Sequence, residues 1–162
     1  MRFNDSQKGF SLIELLIVVA VIGIIAAIAI PNMLASRRAA NEGSALSAMR
    51  SIHSAQITYL NTAGSGKYGI LADLGAEGLI DSDLGNGNRS GYTFDCPAGN
   101  LADGPPPTYF ATAVPSSTDP ITRTGHRSFT ITDDGRIRGK VADAGPANHT
   151  TASNSGTWPE LN

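Results

Sequence analysis

The sequence predicts an α+β fold, with a long N-terminal α-helix packed on a small antiparallel β-sheet of about four strands. The helix is hydrophobic in its first half and amphipathic in its second. Three observations predict this. Every residue from Phe10 to Ile30 is apolar or small except Ser11 and Glu14. Apolar and small residues then recur at three- and four-residue steps as far as Tyr59. From Tyr92 onward, short alternating runs are separated by turn residues.

The first element is the apolar run. Its 21 residues, at about 1.5 Å each, make a rod of about 32 Å, the thickness of a bilayer core. The polar segment before it carries Arg2 and Lys8 against Asp5. A basic segment ahead of an apolar run holds the N-terminus in the cytoplasm. Glu14 is the anomaly, because a carboxylate in such a span costs about 2.5–3.5 kcal/mol on insertion scales. Two readings stay open: a functional carboxylate with a partner, or a side chain that snorkels to the headgroups. Gly23 and Pro31 are soft points where the helix is expected to kink rather than end. Helix is expected from about Phe10 to Thr62.

In the second half, Ala45, Leu46, Ala48, Met49, Ile52, Ala55, Gln56 and Tyr59 form one stripe. Arg37, Arg38, Asn41, Glu42, Arg50 and His53 lie largely off it. Arg37 and Arg38 fall just past the apolar run. There they meet headgroups, a neighbour's acidic residue or solvent. Ala63-Gly64-Ser65-Gly66 ends the helix.

Lys67–Asn88 reads as a connection with one or two short helical turns around Leu71–Leu74 and Leu79-Ile80. Asp81, Asp83, Asn86 and Asn88 gather oxygen ligands, but their spacing is not that of an EF-hand, so no metal site is assigned. Gly85–Gly91 reads as a turn. Strands are expected at Tyr92–Cys96, Tyr109–Val114, Ser128–Thr132 and Arg136–Gly139, with a proline-rich loop at Gly104–Pro107. Asp133-Asp134-Gly135 is the strongest hairpin signal in the chain. Tyr92, Phe94, Phe110, Phe129, Ile131 and Ile137 are candidates for the apolar face, which the amphipathic half-helix would cover. Residues 144–162 are rich in Gly, Asn, Ser and Thr and read as a flexible tail. Trp158 and Pro159 are its candidates for docking on the domain or on a neighbour.

Lys plus Arg total 12 and Asp plus Glu 14, for a formal charge of −2. Without Met1–Gly9, which holds Arg2, Lys8 and Asp5, the totals are 10 and 13, and the charge is −3. That mild acidity argues against a nucleic-acid partner. The mean hydropathy of −0.07 hides an apolar first quarter and a polar remainder. The single cysteine, Cys96, has no intramolecular partner. It is a small buried residue, or else a reactive or intermolecular thiol. His53, His126 and His149 lack metal spacing, and there is no Gly-x-Ser-x-Gly elbow or phosphate loop. Neither catalysis nor a cofactor is expected.

Lys8-Gly9-Phe10-Ser11-Leu12-Ile13-Glu14, the apolar run and Ile30-Pro31-Asn32 together resemble the N-terminus of type IV pilins and type II secretion pseudopilins. The resemblance implies cleavage between Gly9 and Phe10 by a prepilin peptidase, which then methylates the new Phe10 amine. It divides the chain into a leader (1–9), a transmembrane and filament-core helix (10–31), an amphipathic helix (32–63), a pilin-like β domain (64–143) and a tail (144–162). It implies a structural subunit that forms a homo-oligomeric helical filament with the help of inner-membrane assembly machinery. The subunit would wait in the bacterial inner membrane and end in a periplasmic or extracellular filament. Glu14 of one subunit would meet the Phe10 amine of its neighbour. Many pilins close a C-terminal loop with a disulfide. With one cysteine this chain departs from that pattern, so strand pairing or a metal must hold its C-terminal region. The rival expectation is an exported or membrane-anchored binding protein or enzyme with an ordinary signal sequence, cut near Ala27-Ile28-Ala29. Glu14 inside the apolar run argues against it.

Overall fold

The computed structural model describes residues 9–97 and 107–161. Residues 1–8 of the expected leader and most of the proline-rich loop lie outside them. The chain divides into two units, 1–36 and 37–162. Helix α1 spans Leu12–Asn61 and is helical through Gly23 and Pro31. It ends where the Gly-Ser-Gly segment predicts. The Gly64 N–H donates to Tyr59 O at 2.7 Å, and the Gly66 N–H to Leu60 O at 2.9 Å. These bonds satisfy carbonyls that have no helical donor.

In the second unit the predicted stripe is the buried face of α1: Ala45, Ala48, Met49, Ile52, Ala55 and Gln56. Two short helices follow, α2 (Leu71–Ala76) and α3 (Ser82–Gly85). Asp73 accepts from the Ile70 N–H, and Asp81 caps α3 by accepting from the Leu84 N–H at 3.1 Å. Asp81 also pairs with Arg89. One member of the loop's oxygen-rich set, Asp81, therefore both caps a helix start and pairs with arginine.

The sheet is an antiparallel meander in the order β1 (Asn88–Arg89), β2 (Tyr92–Asp95), β3 (Phe110–Pro115), β4 (Ser128–Thr132) and β5 (Ile137–Lys140). It has five strands rather than about four. The extra one arises because Ser90 and Gly91 both take positive φ, 48° and 73°. That conformation suits a tight hairpin, so Arg89 pairs with Tyr92. At the Asp-Asp-Gly turn the Gly135 N–H donates to Thr132 O at 2.9 Å, and Ile131 then faces Ile137.

Tyr92, Phe94, Phe129 and Ile131 pack with the α1 stripe in one core, with Ile137 at its edge. Phe110 is a correction. It is buried but belongs to the opposite face of the sheet. The side chains that alternate toward α1 on β3 are Ala111 and Ala113. The strand therefore starts one residue later in phase than Tyr109–Val114 implies. Tyr109 turns toward the core, and Phe110 away from it.

The flexible tail is the second correction. Residues 144–161 form a second layer. Helix α4 (His149–Ser153) is capped by Asn148 and packs beside β4. Ala152 and Trp158 are buried, Trp158 with 3% of its surface exposed. The Gly139 N–H donates to Pro159 O, and the Leu161 N–H to Ile137 O, both at 3.0 Å, so the chain end extends the sheet beside β5. This layer explains why every residue of β4 is buried, Ser128, Thr130 and Thr132 included.

Candidate functional site

A surface that must leave water is the first requirement of an assembly site in a membrane-anchored chain. Gly9 and Phe10 are exposed, Phe10 at 84%. From Leu12 to Ile30 the large apolar side chains of α1 are exposed throughout. None of the most apolar 18-residue window is buried against the protein itself. By length and composition α1 can cross a membrane.

Glu14 sits in the first turn of α1. Its Oε2 accepts from the Ser11 N–H at 2.8 Å, and Ser11 Oγ accepts from the Ile13 N–H at 3.4 Å. Ser11 immediately precedes the first helical residue, and Glu14 lies three positions on, so Glu14 makes its half of a capping box while Ser11 Oγ takes the N–H one residue earlier, that of Ile13. Sequence reasoning gave Glu14 a neighbour's Phe10 amine or the headgroups as its partner and overlooked Ser11. The Ser-x-x-Glu spacing ahead of an apolar run was the signal that could have found it. The helix N-terminus also favours a negative charge in this turn. Gly9 and Phe10 directly precede the box, whereas Gly23 and Pro31 lie farther along the same helix. A Cβ on Gly23 would meet nothing within 4 Å. Near Pro31, the Asn32 side chain donates to Ile28 O at 3.2 Å, a side-chain bond in the turn where proline supplies no N–H.

The polar residues beyond the apolar run are largely engaged within the second unit. Arg38 donates to Arg123 O at 3.2 Å, and Asn41 to Thr124 O at 2.9 Å. Glu42 accepts from the His126 N–H at 2.8 Å and pairs with Arg127 at 2.9 Å. Three side chains on one helix face therefore hold the β3–β4 loop. Arg37 is exposed. His53 Nδ1 lies 2.6 Å from the Tyr109 hydroxyl.

Cys96 is buried, and burial, assisted by the charge of Asp95 and opposed by a hydrogen bond from Gln56, pushes its thiol up to about 12. A thiol so rarely ionised is a poor nucleophile, which favours the small buried residue. Gln56 bonds both the carbonyl and the N–H of Gly69, at 2.6 and 3.0 Å, and so ties α1 to the loop after it. Among the described residues, no three of His, Cys, Asp and Glu come together as metal ligands would.

The family described as the prokaryotic N-terminal methylation motif matches residues 4–30. The chain is 36% identical over 132 residues to the type IV major pilin protein PilA of Myxococcus xanthus, across 78% of this chain and 56% of that protein. It is 66% identical over 37 residues to the type IV wide pilus major component PilA4 of Thermus thermophilus, across 23% of this chain and 28% of that one. It is 27% identical over 103 residues to the type II secretion system core protein G of Escherichia coli, across 60% and 69%. The chain thus spans about half the length of the first of these relatives and about a quarter of the second. No solved structure matches.

Proposed function

We propose, from the premise that this chain belongs to the pilin and pseudopilin family, that it is a structural subunit of a type IV pilus or a type II secretion pseudopilus. A prepilin peptidase cuts between Gly9 and Phe10 and methylates Phe10. The product waits in the inner membrane through α1, and assembly machinery moves it into a helical filament. The observation that carries the reading is the combination at one helix end: the methylation motif at residues 4–30 and an apolar surface that, among the described residues, is left uncovered. Side-by-side packing of many such rods removes that surface from lipid and water alike through a heterologous contact that does not close. Glu14 of one subunit then meets the Phe10 amine of its neighbour. An α-amine has a solution pKa of about 8, so both groups are charged at neutral pH, and pairing offsets their desolvation. Methylation leaves the amine's charge in place. Gly23 and Pro31 supply the points at which α1 bends or loosens in the filament.

Intact mass of the purified native protein tests the reading. It should fit Phe10–Asn162 plus one methyl group. A product that starts at Ile30 would establish the ordinary signal-sequence reading instead.

A further inference from the structure

The β3–β4 loop is a fixed mount for one apolar side chain. Asp119 Oδ1 accepts from the N–H groups of Ile121 and Thr122, at 2.8 and 3.3 Å, and sets the turn. Ile121 on that turn is 77% exposed, and Val141, just past β5, is 69% exposed. Among the described residues of the second unit these are the two most exposed large apolar side chains. The Arg123–Asp143 pair joins their segments, each partner lying two residues beyond one of them. A single exposed isoleucine carries no message. Two of them linked by an ion pair, at a particular end of the unit, do.

The bonds that fasten the loop say which end this is. Arg38 donates to Arg123 O at 3.2 Å and to Pro120 O at 3.5 Å, and Asn41 donates to Thr124 O at 2.9 Å. Both donors lie in the first turns of the second unit, which begins at Arg37. Six residues, 31–36, separate the apolar run from Arg37, a tether of about 25 Å even fully extended. A chain anchored through that run therefore keeps this end of the unit at the bilayer surface. Lys140 ends β5 opposite Ser128, where the loop returns to the sheet. Among the described residues, Arg37, Arg38 and Lys140 form no ion pair with a carboxylate.

We propose that this end of the second unit is a membrane-surface foot. In the waiting subunit Ile121 and Val141 enter the headgroup layer, and Arg37, Arg38 and Lys140 face its anionic phosphates. Apolar side chains flanked by unneutralised basic ones are what that layer accepts. An acidic protein surface would suit the cations equally, but the short tether puts the bilayer within reach first. The foot holds the domain down until the subunit enters a filament. The inference rests on the anchored-subunit reading and goes beyond it.

Spin-label accessibility on the full chain in vesicles of phosphatidylglycerol and phosphatidylcholine tests the foot. The nitroxide sits on Thr118→Cys, an exposed position three residues before Ile121, and buried Cys96 stays unlabelled. Collision with a water-soluble nickel chelate should be about threefold slower there than at exposed Glu77→Cys. Adding Ile121→Asp should bring the two rates together, and phosphatidylcholine alone should weaken the protection. Equal rates at positions 118 and 77 overturn the foot. Undiminished protection in phosphatidylcholine alone overturns the role of the basic side chains. Protection in sheared filaments but not in vesicles would make the loop a contact with a neighbouring subunit instead. A label on Val18→Cys reports the anchor separately: if nickel reaches it, the span is outside the bilayer, and the anchored-subunit reading fails first.

Discussion

At the scale of single residues, two carboxylates carry most of the chemistry. Glu14→Ala removes the group that would meet a neighbour's amine. Membrane insertion and cleavage should persist, since the span becomes more apolar and Gly9 is intact. Filaments should be lost while processed protein accumulates, because an amine left unpaired in a dry core costs about 3–5 kcal/mol. Electron microscopy of sheared material reads this directly, and wild-type filaments from Glu14→Ala would show that the carboxylate only snorkels. Asp134 is the second. Burial pushes its carboxyl up, but hydrogen bonds from Arg138, Thr132 and the Arg136 N–H, with the charge of Arg138, outweigh burial and bring it down from 3.8 to about 2. A lowered folded value means that the ionised form stabilises the fold. That stability is fully present above about pH 4 and is lost as pH falls toward 2. Thermal melts between pH 2 and 6 should show the decline. Asp134→Asn should flatten it and, with Arg138 buried and left to the more distant Glu160 at 3.6 Å, destabilise at neutral pH by roughly 1–3 kcal/mol. A decline as steep in Asp134→Asn as in the wild type would place the acid sensitivity elsewhere.

At the scale of elements, the C-terminal layer is fastened to the sheet in a chain whose one cysteine, Cys96, is free and buried. It is held by backbone bonds to β5, by the Arg136–Glu160 pair at 2.8 Å, by His149 against Asp133 and by the Trp158 side chain. The layer holds by packing and pairing, so it should be sensitive to single truncations. Trp158→Ala should cost about 3–5 kcal/mol, the range for large-to-small changes in a core. Trp158 is the only tryptophan, so its fluorescence reports this layer alone. Emission should be blue-shifted in the native protein and move red on unfolding. A water-like spectrum in the native state would return residues 144–161 to a flexible tail.

At the scale of the whole molecule, the division at residues 36 and 37 separates a helix with no core of its own from a unit that has one. A fragment from Arg37 to Asn162 should therefore be soluble and folded, with mixed helix and strand by circular dichroism. A disordered spectrum would mean that this unit depends on the filament. Much of the molecule was legible in the sequence alone. The apolar run, the buried stripe of α1, the helix end at Gly64–Gly66 and the Asp-Asp-Gly hairpin are each encoded within one or two turns of chain, where periodicity and φ preferences act locally. The capping box was equally local. It was overlooked because Glu14 was weighed as a charge in lipid and not as a partner of the residue three positions before it. Only the tertiary structure decided which face Phe110 takes, that β4 is buried on both sides, and that Arg138 is buried with its guanidinium on Asp134. Thr112, Thr130, Thr132 and Arg138 look solvent-facing by their chemistry, and residues 144–161 look too polar to cover anything. What buries them is the meeting of a threonine-rich sheet face with the 144–161 segment, whose α4 packs beside β4 and whose Gly145 lies close to Thr112. Such a match depends on contacts between residues far apart in the chain, and no local pattern records it.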